Sequence, residues 1–195
     1  IKMIKENEMK IGKIIVALLL VMVSTTSYAA KRYSNDDYDL RSTSNFHVGV
    51  GVGSMKTDNP SASGRSVAWS IFVGTEINRF LAAEVAYTNL GTTDLGSSVN
   101  LKGSAYSLNV VGNIPVTKAV SMFAKFGLAN TGVYSESSTT TGATYSKVAP
   151  TIGLGVRAGV GKNMDVRIAY DNYKIADDTT TYNADITGVS LIFKF

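Results

Sequence analysis

The side chains of this sequence that could do chemistry are charged, of both signs, and spaced to share one side of extended chain. Glu84, Lys125, Arg157, Arg167, Asp171 and Lys194 each stand where large apolar residues take the alternate positions, with Asp165 nearby. Carboxylates and cations gathered out of bulk water must pair or stay wet, because an isolated buried ion is costly. Such a set is either a static network or a rearranging gate for ions. Glu84, Arg157 and Arg167 each lie about four residues from a short connection, which predicts a similar depth and a single cross-lumen cluster. Catalysis has less to work with. His47 is the sole histidine and cysteine is absent. No G-x-S-x-G elbow presents a nucleophilic serine, and no Cys or His pair could hold a metal. No catalytic, metal or cofactor-binding residue is therefore expected, and His47 reads as a lumen or rim residue.

The elements that must position these charges are strands. From Asn45 onward the chain alternates with period two, which argues against amphipathic helices. Eight such stretches follow: 46–54, 66–75, 80–89, 101–111, 119–129, 148–159, 164–173 and the closing 185–195. Short connections at 76–79, 112–118 and 161–163 take turns with long polar ones at 56–65, 90–100, 130–147 and 174–184. That rhythm suits a barrel with short turns at one end and longer loops at the other. An even strand count returns both chain ends to the short-turn end.

The two faces then decide the solvent. One carries Val48, Val50, Trp69, Ile71, Leu108, Phe126, Ile152, Ile168, Leu191 and Phe193. The other carries the charges, most of the glycines, and Phe72, Phe123 and Ile192. Small residues belong in a tight interior, so the charges point inward and the apolar band outward. A soluble antiparallel barrel would reverse this, with its apolar face on the core. The expected fold is all-β, an eight-stranded antiparallel up-and-down transmembrane β-barrel over 45–195. Its spans of about ten residues are long enough for a tilted strand in a bilayer.

The front end fits export. Lys10 and Lys13 precede the apolar run 14–23, and Ser27-Tyr28-Ala29 offers a small-x-small site, so residues 1–29 are expected to be a cleaved signal peptide. The alternative, a membrane anchor, needs about twice that apolar length. Residues 30–44 are polar and patternless, and read as a flexible periplasmic leader. Without 1–29 the Lys and Arg excess falls to two, so the basic character is largely that of the signal peptide. No basic cluster with interleaved aromatics exists, and no nucleic-acid partner is expected.

Several motifs resemble a known family. The stretch V-G-T-E-I-N-R-F-L-A-A-E-V-A-Y-T-N-L-G (73–91) is similar to the G-x-x-x-N-x-x-x-A-x-E-x-x-Y-x-x-L-G pattern of OmpA-type and opacity-type bacterial outer-membrane barrels. A-Y-S-L-N-V-V-G-N-I-P-V (105–116), F-A-K-F-G-L-A (123–129) and the final S-L-I-F-K-F match in order and spacing. The resemblance spans 45–195 and implies outer-membrane lipid and lipopolysaccharide as surroundings. It also implies handling by the barrel-assembly machinery through the closing strand that ends in Phe195. Only the barrel is matched, so the peptidoglycan-binding domain of OmpA and its cell-wall tether are not expected. Members often serve as surface antigens or adhesins, and many carry the label porin. Some small outer-membrane barrels acylate or deacylate lipid A with a His and a Ser near the outer boundary; His47 falls at the opposite end.

Three expectations follow for function. An eight-stranded barrel is just wide enough for its own side chains, so a wide pore is excluded and a narrow path for ions or small solutes is the alternative to a structural role. Aromatic belts are expected at the two lipid boundaries, with Phe80, Phe193 and Phe195 at the turn end and Trp69, Tyr87, Tyr106 and Tyr173 toward the loops. The polar loops, S-E-S-S-T-T-T-G-A-T (135–144) and D-D-T-T-T-Y-N-A-D (177–185), are the candidate contacts for a host or cell-surface ligand.

Overall fold

Eight antiparallel strands close on themselves in the computed structural model, which describes residues 45–58, 65–94, 99–117, 119–137, 144–176 and 181–195. They are β1 (Phe46–Thr57), β2 (Arg65–Asn78), β3 (Leu81–Asp94), β4 (Val99–Pro115), β5 (Val120–Ser137), β6 (Thr144–Gly159), β7 (Met164–Ala176) and β8 (Thr181–Lys194). Each pairs with its sequence neighbours, and β1 closes the ring on β8 from His47↔Lys194 to Thr57↔Ala184. The expected signal peptide and leader, 1–44, lie outside the described residues.

The register fixes the shape. Followed from Val52 through β2, β3 and β4, the ladder reaches Gly132 on β5. Followed the other way, through β8, β7 and β6, it reaches Met122, ten residues away. A stagger of that size over eight strands tilts them by roughly 35–45° to the barrel axis and leaves an interior that side chains can fill.

The short turns are set by side chains that accept backbone hydrogens. Asn78 Oδ1 accepts from the amides of Phe80 and Leu81 at 2.8 and 3.0 Å. Thr117 Oγ1 does the same for Ala119 and Val120. Such local bonds are the reason Asn and Thr favour turns. At the other end of β3, a bulge leaves Leu90 between the pairs Asn89↔Ser104 and Gly91↔Gly103. Gly91 has φ +80°, a region that suits glycine, and its amide bonds Asn89 Oδ1 at 2.8 Å.

The strands outrun the sequence reading at the loop end. Segments read as loops over 130–147 and 174–184 are largely ladder, with β5 running to Ser137, β6 starting at Thr144 and β8 starting at Thr181. Of the two candidate contact loops, 138–143 and 177–180 lie outside the described residues, and the remainder is paired strand. The missed signal has a physical cause. Beyond the lipid both faces of a strand meet water, so alternation fades while the backbone ladder continues.

Candidate functional site

The outer wall is apolar in its middle. Leu108 and Phe126 are 55% and 63% exposed, and Val50, Ile71, Ile152, Ile168 and Leu191 are exposed with them. The residues between these turn inward, and of the expected charges Glu84, Lys125, Arg157, Arg167 and Lys194 are buried and Asp171 is part-buried. A hydrophobic outside around a charged inside is the pattern of a barrel solvated by lipid.

Ion pairs fill the lumen from the turn end. Arg157 on β6 reaches Asp165 on β7 at 2.5 Å and Glu76 on β2 at 3.0 Å. Lys194 on β8 bonds the second oxygen of Asp165 at 2.9 Å. Beside this layer, the buried Glu84 accepts Arg167 Nη1 on both carboxylate oxygens, at 2.9 and 3.1 Å, and meets His47 Nε2 at 3.1 Å. The Arg167 guanidinium lies 4.0 Å from the ring centre of Phe72 and 5.3 Å from that of Phe123. Lys125 and Asp171 pair at 2.9 Å toward the loop end. Four carboxylates thus face four cations, and each ion has an opposite partner, as burial demands.

Glycines make this filling possible. A Cβ on Gly49 would come within 2.0–2.6 Å of three Phe72 ring atoms, and one on Gly74 within 2.5 Å of His47 Nε2. The large inward side chains lie in the space that those missing side chains leave.

Above Lys125 and Asp171 is a cavity of about 30 Å³, bounded by Ser70, Thr88, Ser190 and Tyr173. That is room for one or two waters. Tyr173 then crosses the lumen to Thr88, Oη to Oγ1 at 3.3 Å. Beyond it an apolar layer of Met55, Leu90, Ala105, Ala129, Ala184 and Ile186 closes the loop end. Among the described residues no group of three or more His, Asp or Glu is arranged to hold a metal.

Compared with the sequence reading, Glu84, Lys125, Arg157, Arg167, Asp171 and Lys194 all enter the lumen but do not form one cluster. Arg157 and Lys194 belong to the Asp165 group, Arg167 to Glu84, and Lys125 to Asp171. Glu76, expected in a short turn, and His47, expected as a lumen or rim residue, both take part. The signal for Glu76 was hidden by the irregular register between Glu76 and Asn78.

Of the aromatics, Trp69, Tyr87 and Tyr106 form an outer row on β2, β3 and β4, with ring centres 5.5 and 5.0 Å apart. Phe193 and Phe195 stand exposed at the turn end, Phe195 against Phe46, and Phe80 lies in the first turn under the Arg79 guanidinium. Tyr173 is the correction. It is 2% exposed and points inward, because it shares parity with Asp171 rather than with the outward Tyr170.

A family model for the outer membrane protein beta-barrel domain matches residues 15–195. The chain belongs to the outer-membrane β-barrel family. Among solved structures, Neisserial surface protein A aligns over 78% of this chain and 98% of its own, with 17% identity and a TM-score of 0.69. Ail, the attachment invasion locus protein of Yersinia pestis, solved with the heparin analogue sucrose octasulfate, aligns over 77% and 97% at 15% identity and a TM-score of 0.51. The N-terminal barrel of Pseudomonas aeruginosa OprF aligns over 77% and 98% at 14% identity and a TM-score of 0.53. At such identities the shared feature is the barrel itself. No curated protein sequence matches the chain. Family and fold together make this outer-membrane barrel a bacterial envelope protein.

Proposed function

We propose that this barrel is a structural and surface-interaction element of the outer membrane, exposing its loop end to the cell exterior as an adhesin or antigen would. The observation that carries the reading is the filled lumen: among the described residues, three sets of ion pairs are followed by Tyr173 and an apolar layer, around a cavity of about 30 Å³. A barrel closed along its axis acts through its outside and its ends. On this reading residues 1–29 are removed on export and both termini lie in the periplasm. Lipid and lipopolysaccharide surround the apolar band, and the barrel-assembly machinery engages the strand that ends in Phe195. Trp69, Tyr87 and Tyr106 anchor the outer boundary, and Phe80, Phe193 and Phe195 the inner one. On this reading the role is not enzymatic, and the enclosure of the one histidine, His47, between Phe72 and Glu84 supports it. The attachment protein Ail shares the fold, and it supports a surface role as a precedent only.

One observation favours the second reading, a narrow passive channel. Between Lys194 and Thr88 the lumen carries ion pairs and hydroxyls alongside the buried Phe72, Phe123 and Ile192, and the wholly apolar layer lies only beyond Tyr173. Conductance of the refolded protein in planar bilayers separates the two, with no stable openings expected for the closed barrel. Orientation is read separately. The chain has no cysteine, so Ser146→Cys labels with a membrane-impermeant maleimide in intact cells if the loop end faces out.

A further inference from the structure

Two cations stand directly opposite one another on the outer wall at the loop end. Lys56 on β1 and Arg65 on β2 are ladder partners, both are exposed, and both share the outward face of Val52 and Trp69. Like charges so placed repel and weaken a sheet. The neighbouring carboxylates are engaged on the other side. Asp185, which opposes Lys56 across the β1–β8 ladder, accepts Asn172 Nδ2 at 2.7 Å. Asp58 accepts the Asn183 amide and Nδ2 at 2.7 and 2.6 Å. Residues 59–64, which join the two cations in sequence, are N-P-S-A-S-G and bring no carboxylate.

The pair sits where the apolar wall ends. Val52 and Trp69 are ladder partners four residues below it, about 13 Å along the strands and roughly 10 Å in depth at this tilt. Trp69 opens the aromatic row that runs through Tyr87 to Tyr106, and Asn89 stands beside it on the next strand. The Gly91 amide occupies Asn89 Oδ1, which leaves Asn89 Nδ2 as a donor next to the indole. Below Trp69 the wall is apolar, with Val50 and Ile71 exposed.

We infer that Lys56 and Arg65 clamp the phosphate of a membrane glycolipid, whose sugar lies against Trp69 and Asn89 and whose acyl chains run down the wall of Val50, Val52 and Ile71. A phosphate between the two side chains turns their repulsion into two attractions, and the Arg65 guanidinium can hold it through two parallel N–H donors. A pyranose has an apolar face of C–H groups and a rim of hydroxyls, which suits an indole with an amide donor beside it. Acyl chains need the apolar band directly beneath. These three chemistries occur in that order in a lipid whose phosphate is carried on a sugar, whereas a glycerophospholipid lacks the ring in the middle. The inference rests on the proposed lipid surroundings of the loop end and names the group recognised there.

The test uses the full barrel refolded in micelles of a polyoxyethylene detergent, which carries neither phosphate nor sugar. Micelles expose both ends, so the result does not depend on orientation, which the Ser146→Cys labelling reads separately. In detergent alone at low salt, Lys56→Gln with Arg65→Gln is expected to leave the unfolding midpoint unchanged or to raise it, because a like-charge contact is removed. With diphosphorylated lipid A added as probe, the wild-type midpoint is expected to rise. The double variant should lose that rise and bind the lipid at least about tenfold more weakly. A lower midpoint for the double variant in detergent alone would show that acids of this chain, such as Asp177 and Asp178, already hold the pair, and would overturn the proposal. So would equal binding of lipid A by both proteins. An equal rise with phosphatidylglycerol would overturn it in favour of a general response to anionic lipid, and an equal rise with inorganic phosphate in favour of a site for the free ion.

Discussion

Arg157 and Arg167 stand directly opposite one another across the β6–β7 ladder, and they share no carboxylate. Like charges at opposed positions destabilise a sheet. Here each guanidinium turns to its own acids, Arg157 to Glu76 and Asp165, Arg167 to Glu84. Two of the three ion-paired sets thus meet at a repulsive contact, and neither of these two can lose an acid without exposing it.

Glu84→Ala should therefore lower barrel stability by about 3–5 kcal/mol, the cost of leaving a buried ion without its partner. Guanidinium unfolding in liposomes, or the temperature at which the folded band is lost on a gel, measures it. Adding Arg167→Leu to Glu84→Leu should recover most of that loss, because an apolar pair of similar volume removes both charges. If the network instead gates ions, Glu84→Ala raises conductance while the midpoint of unfolding stays put.

Gly49→Ala should destabilise by about 1–3 kcal/mol, since the added methyl meets the Phe72 ring at 2.0–2.6 Å and the ring is held by Arg167. Phe72→Leu alone should also destabilise. Combined, the two should be less harmful than their sum, as the smaller side chain vacates the space the methyl needs. Strict additivity in a double-mutant cycle would show that Phe72 does not lie over Gly49.

Tyr173→Ala with Leu90→Ala should open the loop end. Both side chains are buried in the layer above the cavity, Leu90 wholly so. The wild-type barrel is expected to show no stable steps in planar bilayers, and the double variant brief small openings. Silence from both would mean that the ion-paired layers below already close the path.

How far the lumen was legible depended on parity. Phe72, Phe123, Ile192 and Lys194 were placed inward by counting alternate residues along strands, and they lie there. Tyr173 shows the opposite: a tyrosine near a loop suggests the outer boundary by its type, although its parity with Asp171 points inward, where it lies. Leu90 is not legible because a bulge breaks the count where the expected strand 80–89 meets the expected loop 90–100, with Asn89 on one side of that boundary and Gly91 on the other. The pairing of particular ions could not be read at all. Which acid meets which cation depends on the ten-residue stagger of the ladder, a property of ring closure that no single strand encodes.

The arrangement of faces is tested most sharply on β5, where Lys125 points in and Phe126 points out. Phe126→Lys should cost about 2–4 kcal/mol for folding into liposomes if that position sits near the bilayer midplane. Lys125→Met should cost a comparable amount for a different reason, because Asp171 is left without its cation. The two effects separate by rescue. Asp171→Asn should relieve Lys125→Met, whereas no lumen substitution should relieve Phe126→Lys. In water an exposed lysine in place of phenylalanine costs almost nothing, so a barrel indifferent to Phe126→Lys would have water, not lipid, against that wall.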